Sequence, residues 1–191
     1  KPVGYIGNIY ILSESANPTT YAELLNRIIG ILESNSSILR IEGHLFTFNC
    51  NLTPFFKSQG FNTIKRHFLS KTINSKDDNE QTLALPAKIR LVKWQNFFCP
   101  KAAEIIYDSY QNSPDYDLCY DYQSPQGCTR FLLNLLNNPS CGIFSPETSL
   151  IALNSNGIVC GILMTSTTDL NTGMVTQISV KRSHQGTGIG S

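Results

Sequence analysis

The sequence predicts a mixed α+β fold in two folded pieces, and three observations support this prediction. Strand-like segments rich in isoleucine, valine and tyrosine alternate with segments in which apolar residues recur at helical spacing. Three strand-like segments in succession close the chain after the helical ones. A polar stretch at 70–81, followed by Pro86, separates the two pieces. We therefore assign residues 1–70 to the first piece, 71–87 to a linker and 88–191 to the second piece.

The first piece is predicted to contain three strands and two helices. The predicted strands are residues 5–12, 38–48 and 61–69. Thr20 and Glu23 fit a capping box that opens the first helix, and a cluster of Asn and Ser at 34–37 ends it. Pro54 starts the second, shorter helix and Gly60 ends it.

The second piece is predicted to contain four strands and two helices. The predicted strands are residues 89–94, 149–154, 158–165 and 174–180, and the predicted helices are 101–110 and 129–136. The sequence Asn-Ser-Asn-Gly at 154–157 is typical of a hairpin turn. Residues 169–173 form the turn into the last strand. This order, with helices first and a strand meander last, favours an α+β arrangement.

Composition and charge argue against several classes of partner. The net charge is +1 with no block of basic residues, so a nucleic-acid partner is not expected. No apolar run approaches the ~18–20 residues of a membrane span, so we expect no membrane contact. The six cysteines contain no CxxC pair and the three histidines lie apart from them, so no metal is expected. We interpret the cysteines as thiols of a cytoplasmic protein.

The last predicted strand runs into a glycine-rich loop, Gln-Gly-Thr-Gly-Ile-Gly at 185–190. Glycine lets the backbone approach a ligand closely, and the free amides at a helix start favour an anion such as a pyrophosphate. No lysine follows these glycines, so the loop is not a Walker loop. A dinucleotide fingerprint would place its third glycine at Ser191. A glycine-rich hairpin without a ligand is the remaining alternative.

The spacing of Gln185, Gly188 and Gly190 after a strand that ends at Val180 resembles motif A of the GCN5-related N-acetyltransferases. The order of elements from Ile89 onward, a strand, helices and three strands into this loop, is also similar to the first half of that family. The segments Asp-Tyr-Gln-Ser-Pro at 121–125 and Cys-Gly-Ile-Phe at 141–144 are similar to a bacterial tandem-acetyltransferase subgroup. The resemblance implies a central, mostly antiparallel sheet flanked by helices.

The resemblance also implies an activity and a site. In the family, acetyl-CoA is the cosubstrate, a primary amine attacks its thioester directly, and a strand amide stabilises the oxyanion. The pantetheine arm would pair with the backbone of the last strand, and the pyrophosphate would lie on amides of the loop. The implied coenzyme-binding residues are Ile178, Ser179, Val180, Gln185, Gly186, Thr187, Gly188, Ile189, Gly190 and Ser191.

The first piece resembles the late half of the same family. Asn51 and the segment 56–61 are similar to its late asparagine and Tyr-x-x-x-Gly-Phe segment, but the tyrosine position, a general acid in many members, is Phe56. The turn at 13–19 also contains no glycine, so this repeat is expected to be inactive. The chain would then join two half-modules of tandem repeats. A further hypothesis is that the halves pack as one permuted module, which a single cooperative melt would support and independent unfolding would refute.

The sequence assigns no catalytic acid or base. The segment 174–180 contains no carboxylate, and Gln177 cannot act as a base. We interpret Asp169 and Glu147 as solvated turn residues, with a water relay as another route for the proton. His184 and Arg182 are interpreted as exposed loop residues more readily than as phosphate partners, and Cys160 as a core residue.

Three functions remain open at this point. An acetyltransferase would act on a small-molecule or peptide amine, with a possible contact between half-modules or with a neighbouring repeat. A non-catalytic acyl-CoA-binding module and a purely structural repeat are the alternatives. Several aromatic residues could line an acceptor pocket, although we favour packing beneath the helices; they are Trp94 and tyrosines 107, 110, 116, 120 and 122.

Overall fold

The computed structural model describes residues 2–7, 9–43, 50–67, 69–73, 86, 88–139 and 141–190. The chain divides into two units, residues 1–69 and 70–191. Most of the linker predicted at 71–87 lies outside the described residues. Each unit has its own hydrophobic core.

The first unit is built on two parallel strands joined by a long helix. Strand β1 (Val3–Ile6) pairs with β2 (Arg40–Gly43), and α1 (Pro18–Glu33) connects them. A crossover helix of this kind is what a parallel pair requires. A short helix, α2 (Thr53–Ser58), follows. The buried apolar residues of this unit are Ile6, Tyr21, Leu25, Ile29 and Leu52.

Helix α1 begins earlier than its predicted capping box. Asn17 is the N-cap, and its side-chain oxygen accepts a hydrogen bond from the Thr20 backbone N–H at 3.0 Å. Pro18 occupies the first turn, where its missing N–H loses no helical hydrogen bond. The capping box of Thr20 and Glu23 was therefore wrong, because both residues lie inside the helix. The end of the helix, at Glu33, agrees with the prediction.

This capping contact gives a direct test. Asn17→Ala is expected to lower the free energy of unfolding by about 1 kcal/mol, because the Thr20 amide loses its partner. Thr20→Ala should change it by less than about 0.5 kcal/mol, since alanine keeps the amide and favours the helix. Urea unfolding followed by circular dichroism measures both. Equal losses in the two variants would restore Thr20 as the cap.

The strands predicted for the first unit are shortened or absent. The strand predicted at 5–12 is found at Val3–Ile6, because Ile9 and Ile11 pack against the helical core without a strand partner. The strand predicted at 38–48 is found at Arg40–Gly43, and residues 44–48 lie outside the described part. The described residues at 61–69 form no strand, and Phe61 instead packs against the hydrophobic core of the first unit.

The second unit contains a five-stranded sheet in which every pairing is antiparallel. Its strands are β3 (Arg90–Lys93), β4 (Ile143–Phe144), β5 (Leu150–Leu153), β6 (Val159–Asp169) and β7 (Thr172–Val180). The central strand β6 pairs with β5, β4 and β7, and β3 pairs with β5. The predicted mixed fold with a mostly antiparallel sheet and helices is confirmed.

Three helices accompany this sheet: α3 (Cys99–Tyr110), α4 (Pro114–Leu118) and α5 (Pro125–Asn137). Helix α5 begins four residues before its predicted start, because the Ser124 hydroxyl accepts a hydrogen bond from the Gly127 N–H at 3.0 Å. Helix α4 and strand β4 are too short to give a periodic signal and were not predicted. The core lies between α3, α5 and the sheet; its largest fully buried members are Ile106, Leu132, Ile151 and Met164.

Both turns predicted in the strand meander are present. Asn154 accepts hydrogen bonds from the backbone N–H groups of Asn156 and Ile158, each at 3.0 Å, and Gly157 has φ +73°. In the next turn, the Asp169 carboxylate accepts from the Asn171 N–H at 2.9 Å. These local hydrogen bonds fix the register in which β5, β6 and β7 meet.

Candidate functional site

Strand β7 pairs with β6 along one edge, and its other edge has no strand partner among the described residues. The Lys181 N–H donates to the Cys160 carbonyl at 2.8 Å, which fixes the phase of the antiparallel ladder. Because backbone groups alternate in direction along such a ladder, those of Ile178 and Val180 point away from β6. Within the described part of the chain, β6 is the only strand that pairs with β7. The residues predicted to hold a pantetheine arm therefore present a strand edge.

A bulge interrupts β7 just before this edge. Met164 lies opposite Gln177 and Thr165 lies opposite Val175, so Thr176 is an extra residue on β7. Its hydroxyl donates to the Met164 carbonyl at 3.1 Å. A bulge bends its strand and re-aims the residues that follow. It also leaves the ladder weaker beside Ile178.

Side chains of β7 alternate between the two faces of the sheet. Gln177 and Ser179 face the helices and are each 4% exposed, whereas Ile178 is 49% exposed on the other face. The Ser179 hydroxyl accepts a hydrogen bond from the Gln177 side-chain amide at 2.7 Å. Ser179 therefore lies behind the edge, with its backbone on the β6 side.

The loop after β7 contains two glycines in the left-handed conformation. A 3-10 turn covers Arg182–His184, and Gly186 and Gly188 follow with φ +72° and +87°. No helix begins within the described residues 185–190, and Ser191 lies outside them. An open depression of about 440 Å³ lies here, lined by Val180, His184, Gln185, Gly186, Gly188, Ile189 and Gly190.

Several contacts hold the base of this loop. The Gln185 side-chain amide donates to the Val180 carbonyl at 2.9 Å, which turns the loop back over the end of β7. The Asp108 carboxylate of α3 accepts from the Arg182 N–H at 2.7 Å. The Ile189 side chain of the loop packs closely on β6 at Gly161. A Cβ added to Gly161 would lie only 3.2 Å from that side chain. No sequence pattern indicated a role for Asp108.

The loop and the strand edge together can hold an extended, anionic molecule. Successive backbone amides around left-handed residues form a concave anion site, and no cationic side chain is required. Lys181, Arg182 and His184 add basic groups just before the glycines. His184 lines the depression and is half-buried, with its ring nitrogen 2.9 Å from the Ser183 hydroxyl. Its position is therefore less exposed than predicted.

Of the two carboxylates considered as bases, Glu147 lies in a turn, as predicted, whereas Asp169 is the last residue of β6 and only its side chain joins the turn that follows. Glu147 pairs with Lys93 at 2.5 Å, and its hydrogen bond with that lysine lowers the pKa of the carboxyl. The Asn171 amide likewise lowers the pKa of Asp169. A lowered pKa makes a carboxylate a weaker base at neutral pH.

The cysteines of the second unit's core are not set up as nucleophiles. Cys160 is fully buried and donates to the Ala152 carbonyl at 3.4 Å, which confirms the prediction that it belongs to the core. Burial raises the pKa of Cys160, and it raises the pKa of Cys128 to about 12. Both thiols therefore stay protonated at neutral pH.

Most of the aromatic residues proposed for an acceptor pocket pack in the core. Trp94 is 4% exposed and meets Phe144 edge-on, with ring centroids 5.7 Å apart. Tyr107, Tyr110 and Tyr122 also belong to the hydrophobic cluster, which confirms the packing interpretation for these residues. Tyr116 and Tyr120 are half-buried.

In the first unit, Phe56 packs between two other phenylalanines. Its ring lies edge-on to Phe55 and Phe61, with centroids 5.4 and 5.5 Å away. The Asn51 side chain accepts from the Thr53 N–H at 3.0 Å at the start of α2. Both residues therefore have a local structural role.

The described residues contain neither a membrane-spanning helix nor a metal-binding group of side chains. None of the helices there is long and apolar enough to cross a membrane. No group of three or more His, Cys, Asp or Glu side chains among these residues is arranged to hold a metal ion.

No family model and no curated protein sequence matches the chain. The solved structures that resemble it include the following two. One is a histone acetyltransferase HPA2 and related acetyltransferase from Corynebacterium glutamicum, with a TM-score of 0.42 and 12% identity over 54% of this chain and 66% of its own. The other is a GCN5-related glucosamine N-acetyltransferase region in a fungal multi-domain GH3 β-N-acetylglucosaminidase, with a TM-score of 0.39 and 13% identity over 98% of this chain. The chain spans 27% of that second protein.

Proposed function

We propose that this chain binds acetyl-CoA and transfers its acetyl group to a primary amine. One observation carries the proposal: the edge of β7 at which the Ile178 and Val180 N–H groups point away from β6 leads directly into a loop with two left-handed glycines. A strand edge suits the amides of a pantetheine arm, and the adjoining loop suits a pyrophosphate. These two features follow one another along the chain in the same order as the two parts of the coenzyme.

The proposed reaction is a direct transfer. The nitrogen of the amine attacks the thioester carbonyl, forming a C–N bond, and the C–S bond then breaks to release the coenzyme thiolate. A backbone N–H at the β7 edge donates to the carbonyl oxygen as negative charge develops there. The amine loses one proton and the thiolate gains one, so the overall transfer is balanced.

Binding without catalysis is a second candidate, and the acid–base groups favour it. Strand β7 contains no carboxylate, and the carboxyl groups of Glu147 and Asp169 have lowered pKa values. Phe56 has no proton to donate. If the chain does catalyse the transfer, the proton of the amine would leave through water, the route considered in the sequence analysis.

Both candidate functions require that the chain bind acetyl-CoA, and calorimetric titration of acetyl-CoA into the chain tests this binding. We expect one site with a dissociation constant in the range of about 1 µM to 1 mM that is typical of enzyme substrates. No binding would refute both candidates. Thiol release from acetyl-CoA, measured across a panel of polyamines, amino sugars and lysine peptides, then separates them. Binding with no release above the rate in buffer would favour the binding module.

A further inference from the structure

A cluster of buried polar side chains lies behind the open edge of β7. The Gln177 side-chain nitrogen donates to the Tyr110 hydroxyl at 3.0 Å and to the Ser179 hydroxyl at 2.7 Å. Its oxygen accepts from the Tyr122 hydroxyl at 3.4 Å. The two tyrosine rings stack with centroids 4.1 Å apart. A single buried amide therefore joins β7 to the last residue of α3 and to the 3-10 turn Tyr120–Gln123.

The position of this amide matters because a bulge interrupts the ladder beside it. Gln177 is the first residue after the bulge at Thr176, and the other edge of β7 has no strand partner in the described chain. The backbone ladder alone therefore constrains this segment less than an uninterrupted strand. Contacts on the inner face must supply the remaining constraint, and Gln177 makes the polar ones.

The donors and acceptors of the cluster fit one another. Burial, followed by the nearby Tyr110, raises the pKa of Tyr122, so its phenol stays protonated and remains a donor. The amide nitrogen of Gln177 directs its two hydrogens mainly to Tyr110 and Ser179, and it also lies 3.5 Å from the Ile178 carbonyl oxygen. Loss of one partner leaves a buried polar group unsatisfied, which is more costly than the bond itself is favourable.

The end of α3 also contacts the loop by a separate route. Asp108, two residues before Tyr110, accepts from the Arg182 N–H at 2.7 Å. The last turn of α3 thus contacts the chain on both sides of Ile178 and Val180, at Gln177 before them and at Arg182 after them. The distance between strand edge and loop is consequently set by one rigid element.

We propose that Tyr110 is a positioning residue, which holds the Ile178 and Val180 edge in register for the coenzyme arm through Gln177. This inference rests on the proposed function. The Tyr110 hydroxyl accepts a hydrogen bond from Gln177, so its effect on the edge passes through that side chain. It should therefore affect the strand edge more than the glycine loop.

The test compares two tyrosines of the same helix. Tyr110→Phe removes the hydroxyl that Gln177 contacts. Tyr107→Phe removes the hydroxyl of another half-buried core tyrosine on α3, for which the described residues show no contact with β7 polar groups. For each protein, calorimetry gives the affinity for acetyl-CoA, and amide hydrogen exchange gives ligand-induced protection at the edge and at the loop.

Tyr110→Phe is expected to weaken acetyl-CoA binding by about 5–10-fold, the size of one lost buried hydrogen bond. Protection by saturating acetyl-CoA should fall at Ile178 and Val180 and persist at 186–190. Tyr107→Phe should stay within about twofold of the parent, within the scatter of a neutral change. Unchanged affinity in Tyr110→Phe, equal weakening in Tyr107→Phe, or equal loss of protection at edge and loop would each overturn the inference.

Two further outcomes have defined meanings. If Tyr110→Phe does not fold, Tyr122→Phe removes the opposite contact of Gln177 and is judged by the same two measurements. If the parent chain binds no acetyl-CoA, the proposed function fails and this inference fails with it. Failure of the proposed function is seen already in the parent, whereas failure of the positioning role is seen only when the parent binds and the variants are compared with it.

Discussion

Gly188→Glu is expected to reduce acetyl-CoA affinity by more than about 100-fold, which corresponds to about 2.7 kcal/mol. Gly188 has φ +87°, a conformation that costs an ordinary residue about 1–2 kcal/mol. A carboxylate would also stand beside the amides that are proposed to receive the pyrophosphate, and like charges repel. Calorimetry of parent and variant under the same conditions measures the loss.

The control repeats the same substitution at another left-handed glycine. Gly60 ends α2 with φ +79°, and no atom of the described residues lies within 4 Å of its ideal Cβ. Gly60→Glu therefore adds the same backbone strain and the same charge to the first unit. It should bind acetyl-CoA as the parent does. If Gly188→Glu retains full affinity, the loop does not hold the coenzyme, and if both variants lose it equally, the effect is a general loss of folding.

Long segments of the second unit could be predicted because their signals are local. The helix at 101–110 and the strand meander have clear periodicity and turn residues, and the structure contains all of them. In the first unit, by contrast, β-branched and aromatic residues predicted strands that lack a partner. Strand propensity reflects packing on a half-buried surface, and Ile9, Ile11 and Phe61 achieve such packing without a ladder.

In the candidate site too, features with a local sequence signal could be predicted and features that depend on distant segments could not. The spacing of the glycines predicted the loop. The backbone groups of Ile178 that point away from β6 can be identified only once the pairing of β6 with β7 is known. The bulge at Thr176 could not be predicted, because it depends on how two distant segments pair. The contact between Asp108 and the Arg182 amide joins residues 74 positions apart and has no local signal.

Gly127→Ala is expected to destabilise the second unit by about 1–3 kcal/mol, the usual range for overpacking. An added Cβ would lie 2.3 Å from the Asp121 carbonyl oxygen, which is backbone and cannot rotate away. Helix α5 would have to move from the 3-10 turn that carries Tyr122. Urea unfolding measures the loss of stability.

A matched helical glycine gives the opposite expected sign. Gly30 lies in α1 with no atom within 4 Å of its ideal Cβ, so Gly30→Ala should stabilise the first unit by about 0.5–1 kcal/mol. Comparing the two variants thus separates the gain in helix propensity, which both share, from the steric clash, which only Gly127→Ala has. If Gly127→Ala also gained stability, α5 and the 3-10 turn would not be in close contact. The support beneath Tyr122, and with it the position of the Gln177 amide, would then depend on other residues.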